Sequence, residues 1–181
     1  MTVGYKHDRD ELLDAAVAAA LDDGVGRLTF GRLARRIGIN DRSIVYYFPT
    51  KGDLVTEVVV AIGGRFQVLL DEAFGAERLE PVDVVRRAWP VLTSPDADPV
   101  FRIYFELVGL AAAGTAPFDE LTPALIDQWI GWLAPRVAGG SDAERRANAT
   151  AAVALVDGLL LLHHTAGADT ARTAAARLGV A

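Results

Sequence analysis

Residues 28–54 read LTFGRLARRIGINDRSIVYYFPTKGDL, and their spacing decides the fold. Thr29 is placed to cap the free amides of a short helix whose apolar stripe is Phe30, Leu33, Ala34 and Ile37. Gly38 is a natural left-handed stop for it. Only Gly38 and Ile39 separate that helix from the next, which takes Asn40 as N-cap and runs through Ser43, Ile44, Tyr47 and Phe48 until Pro49. Two short helices joined by so tight a turn must cross steeply. That is the arrangement of a helix-turn-helix, in which one helix braces on the phosphate backbone while the next enters the major groove. With Ile44, Tyr47 and Phe48 turned to the core, Asn40, Asp41, Arg42, Ser43, Val45 and Tyr46 are left on or near the exposed side.

The charge distribution points the same way. The chain of 181 residues holds 18 basic and 24 acidic side chains, a net charge of -6 that taken alone argues against a nucleic-acid partner. From Arg27 to Lys51, however, Arg27, Arg32, Arg35, Arg36, Arg42 and Lys51 stand against the single acid Asp41, so this stretch carries +5 and the remainder -11. A basic patch on an acidic body suggests a local polyanion site. Arg42 suits a bidentate pair with guanine O6 and N7, Asp41 can accept from cytosine N4, and Tyr46 offers its ring edge to a thymine methyl or its hydroxyl to phosphate. Lys51 falls in the first turn of the following helix, where backbone amides and the helix dipole favour an anion. The alternative is a solvated face of an all-helical protein.

Outward from this segment, β alternation is nearly absent and apolar residues recur at helical spacing, which predicts an all-α chain. A first helix over about 8–22 starts at the capping-box pair Asp8 and Glu11, and Asp22-Asp23-Gly24 ends it. Thr50 and Asp53 open a fourth that continues to Phe74 through Gly63 and Gly64, each costing about 1 kcal/mol relative to alanine. The glycines mark either close packing against a neighbouring helix or a flexible point. Prolines and glycines then divide the chain into helical segments near 82–93, 98–113, 118–138, 141–165 and 168–178, with Ser141 and Glu144 as another capping box.

Composition excludes several classes. Without cysteine there is no disulfide, thiol catalysis or cysteine-ligated metal. Hydrophobic residues at 51% and charged ones at 23% are ordinary for a globular chain, which argues against disorder. The N-terminal MTVGYKHDRDELLDAA lacks the apolar core of a secretory leader, and the longest apolar run, Ala151 to Leu162, is interrupted by Asp157 and too short to span a bilayer. A cytoplasmic protein with no membrane partner is expected. Catalysis is not, since no G-x-S-x-G, H-E-x-x-H or phosphate-binding glycine loop occurs. Neither cofactor nor metal is expected: His163 and His164 are adjacent and point about 100° apart, so a site would need ligands from elsewhere.

Aromatic residues concentrate in the middle of the chain. Phe66, Trp89, Phe101, Tyr104, Phe105, Trp129 and Trp132 either line an apolar ligand pocket or pack an ordinary core. Arg102 and Glu106, one turn apart, read first as a surface ion pair and second as a polar anchor in such a pocket. Residues 151–164, AAVALVDGLLLLHH, are apolar around the whole helix circumference, as in a central helix or one shared with a second copy of the chain.

From Arg9 to Leu54 the sequence resembles the DNA-binding module of the TetR (tetracycline-repressor-like) family. The resemblance runs through LLDAA in the first helix, Gly24, Leu28-Thr29, Leu33-Ala34, Ile37-Gly38-Ile39, Ser43-Ile44, Tyr47-Phe48, and Lys51 with Leu54. It implies an N-terminal three-helix helix-turn-helix domain over residues 1–55 and a larger helical ligand-binding and dimerisation domain over 56–181. The implied protein is a sequence-specific DNA-binding transcriptional regulator, a repressor released from its operator by a small hydrophobic or aromatic effector. Thr29, Ser43 and Tyr47 resemble the family's backbone contacts and Lys51 its phosphate anchor, which joins them to Arg32, Asn40, Asp41, Arg42 and Tyr46 as DNA-binding candidates. Val45, Arg42 and Gly52 depart from the family's usual residues, so the operator sequence does not carry over. Residues 151–164 and 170–178 resemble the two dimerisation helices, which marks Val153, Val156, Asp157, Leu160, His164 and Ala175 as the homodimer interface, with Gly158 permitting close approach. The implied operator is near-palindromic double-stranded DNA, with half-sites about 34 Å or a multiple apart. An activator or ligand-independent regulator of the same fold is the alternative, and a helical protein-interaction module without DNA binding is a further one.

Overall fold

The structure is a computed structural model and describes residues 8–180. Residues 1–7, where the reading of the leader begins, lie outside the described residues. The helices are α1 (Arg9–Asp23), α2 (Phe30–Ile37), α3 (Asp41–Tyr47), α4 (Lys51–Phe74), α5 (Pro81–Leu92), α6 (Asp98–Ala112), α7 (Phe118–Leu133), α8 (Asp142–Ala166) and α9 (Ala168–Arg177). Among the described residues the only β pairing is an isolated bridge between Leu79 and Val137. One end departs from expectation: α7 stops at Leu133 instead of near 138. Pro135 lacks the amide an α-helix needs there, so the chain tightens into a 3-10 turn over Ala134–Arg136 and leaves it extended at Val137.

Side-chain caps fix the starts of the first four helices. The Asp8 carboxylate accepts from the Glu11 amide at 2.8 Å, the Thr29 hydroxyl from Arg32 at 3.3 Å, and the Asn40 side-chain oxygen from Arg42 at 2.9 Å. At α4 the capping is reciprocal: Thr50 Oγ1 accepts from the Asp53 amide at 3.1 Å, and Asp53 Oδ2 accepts from the Thr50 amide at 2.9 Å. Gly38 ends α2 at φ 71°, a left-handed conformation that a side chain resists, and this reverses the chain directly into α3.

The chain forms two compact units: residues up to Phe66 with Pro99–Leu121, and Gln67–Asp98 with the segment from Thr122 onward. The first has a core of Leu12, Ala16 and Val17 from α1, Leu33 from α2, Ile44 and Phe48 at α3, and Leu54, Val55 and Val58 from α4. The second is built on Phe74, Leu79, Val84, Val85, Leu159 and Leu160, with α8 packed against α5 and α9. α4 runs through the boundary just after its paired glycines. A Cβ on Gly64 would meet nothing within 4 Å, so close packing does not explain that glycine.

α8 is 25 residues long with a mean hydropathy of 1.4 over its most apolar eighteen, enough by length and composition to cross a membrane. The shorter run read from the sequence understated it, because α8 continues as helix on both sides of that run. Only 22% of this window is buried, which leaves much of an apolar helix uncovered in the single chain.

Candidate nucleic-acid interface

The outer face of α3 carries the side chains suited to base readout. Ile44 is fully buried and Phe48 nearly so, which turns Asp41, Arg42, Val45 and Tyr46 outward, with Tyr46 67% exposed. Ser43 and Tyr47 are half-buried at the edges of this face, and the Tyr46 and Tyr47 rings meet edge to face at 5.0 Å. Asn40 spends its oxygen on the Arg42 amide, which leaves its NH2 as a donor, and Thr29 accepts from Arg32 while keeping its hydroxyl proton. The caps of α2 and α3 can thus each hold a helix start and still donate to a phosphate or base.

Beside this face the structure adds a feature that the sequence reading missed. A surface cleft of about 380 Å³ opens between α1 and α2, and Arg27, Arg32, Arg35 and Arg36 line it with one acid, Asp23. Arg36 is held at 2.5 Å by Asp22 and the Nε of Arg35 donates to the Gly31 carbonyl, while Arg27 and Arg32 are exposed. The basic patch read from the sequence already joined Arg27 to the arginines of α2, and the fold adds the cleft that these four share.

That turn is clamped from both sides within the first unit. The Glu106 carboxylate of α6 accepts from the Val25 amide through Oε2 and from the Gly26 amide through Oε1, each at 2.9 Å. The expectation that Glu106 pairs with Arg102 on the surface is therefore corrected: two backbone amides with no helical partner claim the carboxylate, and Arg102 stays exposed. A Cβ on Gly24 or Gly26 would stand 2.6 Å from that carboxylate, which accounts for two glycines in three residues. From the other side, Lys51 Nζ donates to the Gly26 carbonyl at 3.1 Å and lies 5.9 Å from the Phe118 ring centroid. Lys51, expected as a phosphate anchor, is half-buried, and one of the three N–H donors of its ammonium holds the turn before α2.

The aromatic candidates fall into separate groups. In the first unit Phe66 meets Phe101 at 5.8 Å, Phe101 meets Tyr104 at 6.4 Å, and Tyr104 meets Phe105 at 5.4 Å. In the second, Trp129 meets Trp132 at 5.4 Å, and Trp132 lies against Phe74 at 6.0 Å and under the Arg136 guanidinium at 4.2 Å. Trp89 stands apart from that pair against His163.

The interface candidates on α8 and α9 need correction in two places. Leu160 and Ala175 are fully buried within their own unit, so neither side chain is available to a second chain. Val153, Val156, Asp157 and His164 are half-buried. Among the exposed positions of α8, which also include Arg146 and Thr150, Ala147, Ala151, Ala154, Gly158, Leu161 and Thr165 are spaced four, three, four, three and four residues apart as one stripe of the helix. Apolarity all round the helix hid which side its own unit covers.

Residues 12–58 match the family model described as bacterial regulatory proteins, tetR family. Among curated proteins none matches the sequence. Several solved structures share the fold. A TetR transcriptional regulator from Legionella pneumophila is 20% identical over 96% of this chain and 95% of its own, with a TM-score of 0.63. A protein from Rhodococcus sp. assigned to the TetR family is 18% identical over 91% and 92%, with a TM-score of 0.71. The multidrug binding protein EbrR, solved with proflavin, is 21% identical over 94% and 98%, with a TM-score of 0.63. At such identities the likeness is one of fold.

Proposed function

We propose that this chain, whose residues 12–58 match the tetR family of bacterial regulatory proteins, is a homodimeric transcriptional regulator that binds a near-palindromic operator through α3. The observation that carries the reading is the outer face of α3, where Asp41, Arg42 and Tyr46 stand exposed over a fully buried Ile44. Around it, the exposed Arg27 and Arg32 in the cleft beside α2 supply the sequence-independent attraction to phosphate. Dimerisation uses the uncovered stripe of α8 from Ala147 to Thr165, whose small residues let two such helices approach closely.

Repression relieved by a small hydrophobic or aromatic molecule is the finer part of the proposal. It is supported by the Phe66–Phe101–Tyr104–Phe105 row and by EbrR, a structural neighbour bound to proflavin. Since Glu106 holds the turn that precedes α2, a ligand that displaces α6 alters the support of the DNA-reading helices. Coupling of this kind is reciprocal, so operator DNA weakens ligand binding by the factor by which ligand weakens operator binding.

The test is a salt titration of binding to random duplex DNA, with wild type beside the double variant Arg32→Ala, Arg42→Ala. A steep log-log slope that falls by about 0.9 for each phosphate contact removed is expected. Absence of wild-type binding at low salt overturns the reading in favour of a protein-interaction module.

A further inference from the structure

We propose that Asp98, His163 and His164 form a binding site for one divalent transition-metal ion, with zinc as the best match. The two histidines lie in the last turns of α8, and Asp98 is the first residue of α6; all three belong to the second compact unit. One ligand atom from each residue lies within 4.8 Å of the other two. Adjacent histidines cannot hold an ion in the way an i, i+4 pair does, and a ligand from elsewhere in the chain is what they lack. Asp98 supplies it. The imidazole rings sit 5.0 Å apart at 76° to each other, so the two side chains do not stack face to face.

The donor set selects the ion. Zinc bonds imidazole and carboxylate at about 2.0–2.2 Å, which puts tetrahedral ligand atoms roughly 3.4 Å apart. The ligand atoms, within 4.8 Å of one another, need to draw together by side-chain rotation to reach that spacing, and Asp98, whose side chain is exposed, is the least restrained of the three. Two neutral imidazoles and one carboxylate suit zinc, nickel, cobalt or copper, whereas magnesium and calcium prefer oxygen alone. Both histidines are half-buried, which shields the ion from bulk water. The site also lies at the carbonyl end of a 25-residue helix, whose partial negative charge favours a cation. Three protein ligands leave one coordination position for water or an added ligand, so the ion is exchangeable.

The experiment is calorimetric titration of zinc into the full-length chain without a histidine tag, alongside His163→Ala, His164→Ala, Asp98→Asn and His7→Ala. His7 is the remaining histidine of the sequence. Wild type should bind one zinc per chain. Even second-shell partners of metals are worth about 10–100-fold in affinity, so each histidine variant should lose more than about 100-fold and Asp98→Asn at least about tenfold. His7→Ala should match wild type, and magnesium should give no binding isotherm. Melting curves without metal show whether each variant folds. The exposed Asp98→Asn keeps the test decisive should a histidine variant unfold. Trp89, whose ring meets that of His163 edge to face at 6.2 Å, is a second reporter, and copper binding at the site should quench its fluorescence. Failure of wild type to bind zinc, full zinc affinity in Asp98→Asn, or loss of binding in His7→Ala would each overturn the proposal.

Discussion

On α3 the exposed side chains are Asp41, Arg42, Val45 and Tyr46; on α8 one exposed stripe is Ala147, Ala151, Ala154, Gly158, Leu161 and Thr165. The first set offers charge, hydrogen-bond donors and an aromatic ring with a hydroxyl, groups that water solvates well. The second offers only small and apolar surface with one hydroxyl, for which water is a poor partner. A polar face is stable in water with or without a ligand. An apolar stripe on a long helix is left bare at a free-energy cost of about 25 cal/mol per Å², a cost that the proposed dimer would remove. The two faces therefore differ in how a substitution is felt. In the proposed dimer, a change on α3 would alter which sequence is read, and one on α8 whether two reading heads act together.

The largest effect should come from α8. Leu161, 49% exposed on the bare stripe, and Leu160, fully buried beside it, are neighbours in sequence and opposites in role. Leu161→Glu should leave the chain folded and render it monomeric in sedimentation, lowering operator affinity by at least about 100-fold, or about 2.8 kcal/mol. Leu160→Ala should instead lower unfolding free energy by about 2–5 kcal/mol in a denaturant titration. A dimer that survives Leu161→Glu would move the interface off this face of α8.

Glu106→Ala comes next. It strips the acceptor from the Val25 and Gly26 amides and should cost about 1–3 kcal/mol of stability. Amide hydrogen exchange at those two residues should accelerate by more than the global loss of stability explains. Equal acceleration along the whole chain would mean that the clamp has no local action on the DNA-reading helices.

A pair of variants then separates reading from support. Arg42→Ala should cost about 1–3 kcal/mol at one base position and relax selectivity there. Lys51→Ala should leave the salt dependence of DNA binding unchanged and lower stability by about 1 kcal/mol, because the ammonium serves the Gly26 carbonyl. A slope reduced by about 1 for Lys51→Ala would return that residue to the phosphate backbone.

The contrast between the two faces also explains what was legible in the sequence. Helix starts were readable because Asp8, Thr29, Asn40, Thr50 and Ser141 act on amides three residues away or nearer, and Gly38 announces its own turn. The α3 face followed from the same local rules. Glu106 was not readable, since its acceptor role depends on a turn 80 residues away, and the nearby Arg102 offered a plausible partner at the wrong distance scale. On α8 the residue types alone could not tell Leu160 from Leu161: both are leucine, and only packing against α5 and α9 decides which is inside. The third ligand for His163 and His164 was hidden for the same reason, because Asp98 lies far off in the chain.

The smallest effect isolates α4, which carries neither face. Gly64 is exposed and a Cβ there meets no atom within 4 Å, so the helix gives up propensity at this position without gaining a contact. Gly64→Ala should therefore stabilise the chain by about 1 kcal/mol, a rise of about 2–4 °C in Tm for a protein of this length. The site lies two residues before the boundary between the compact units, where α4 is the continuous backbone of both. A Tm unchanged or lowered by the added methyl would show that α4 departs from regular helix at Gly64 in solution. That would favour a flexible point over close packing as the reason for glycine at this position.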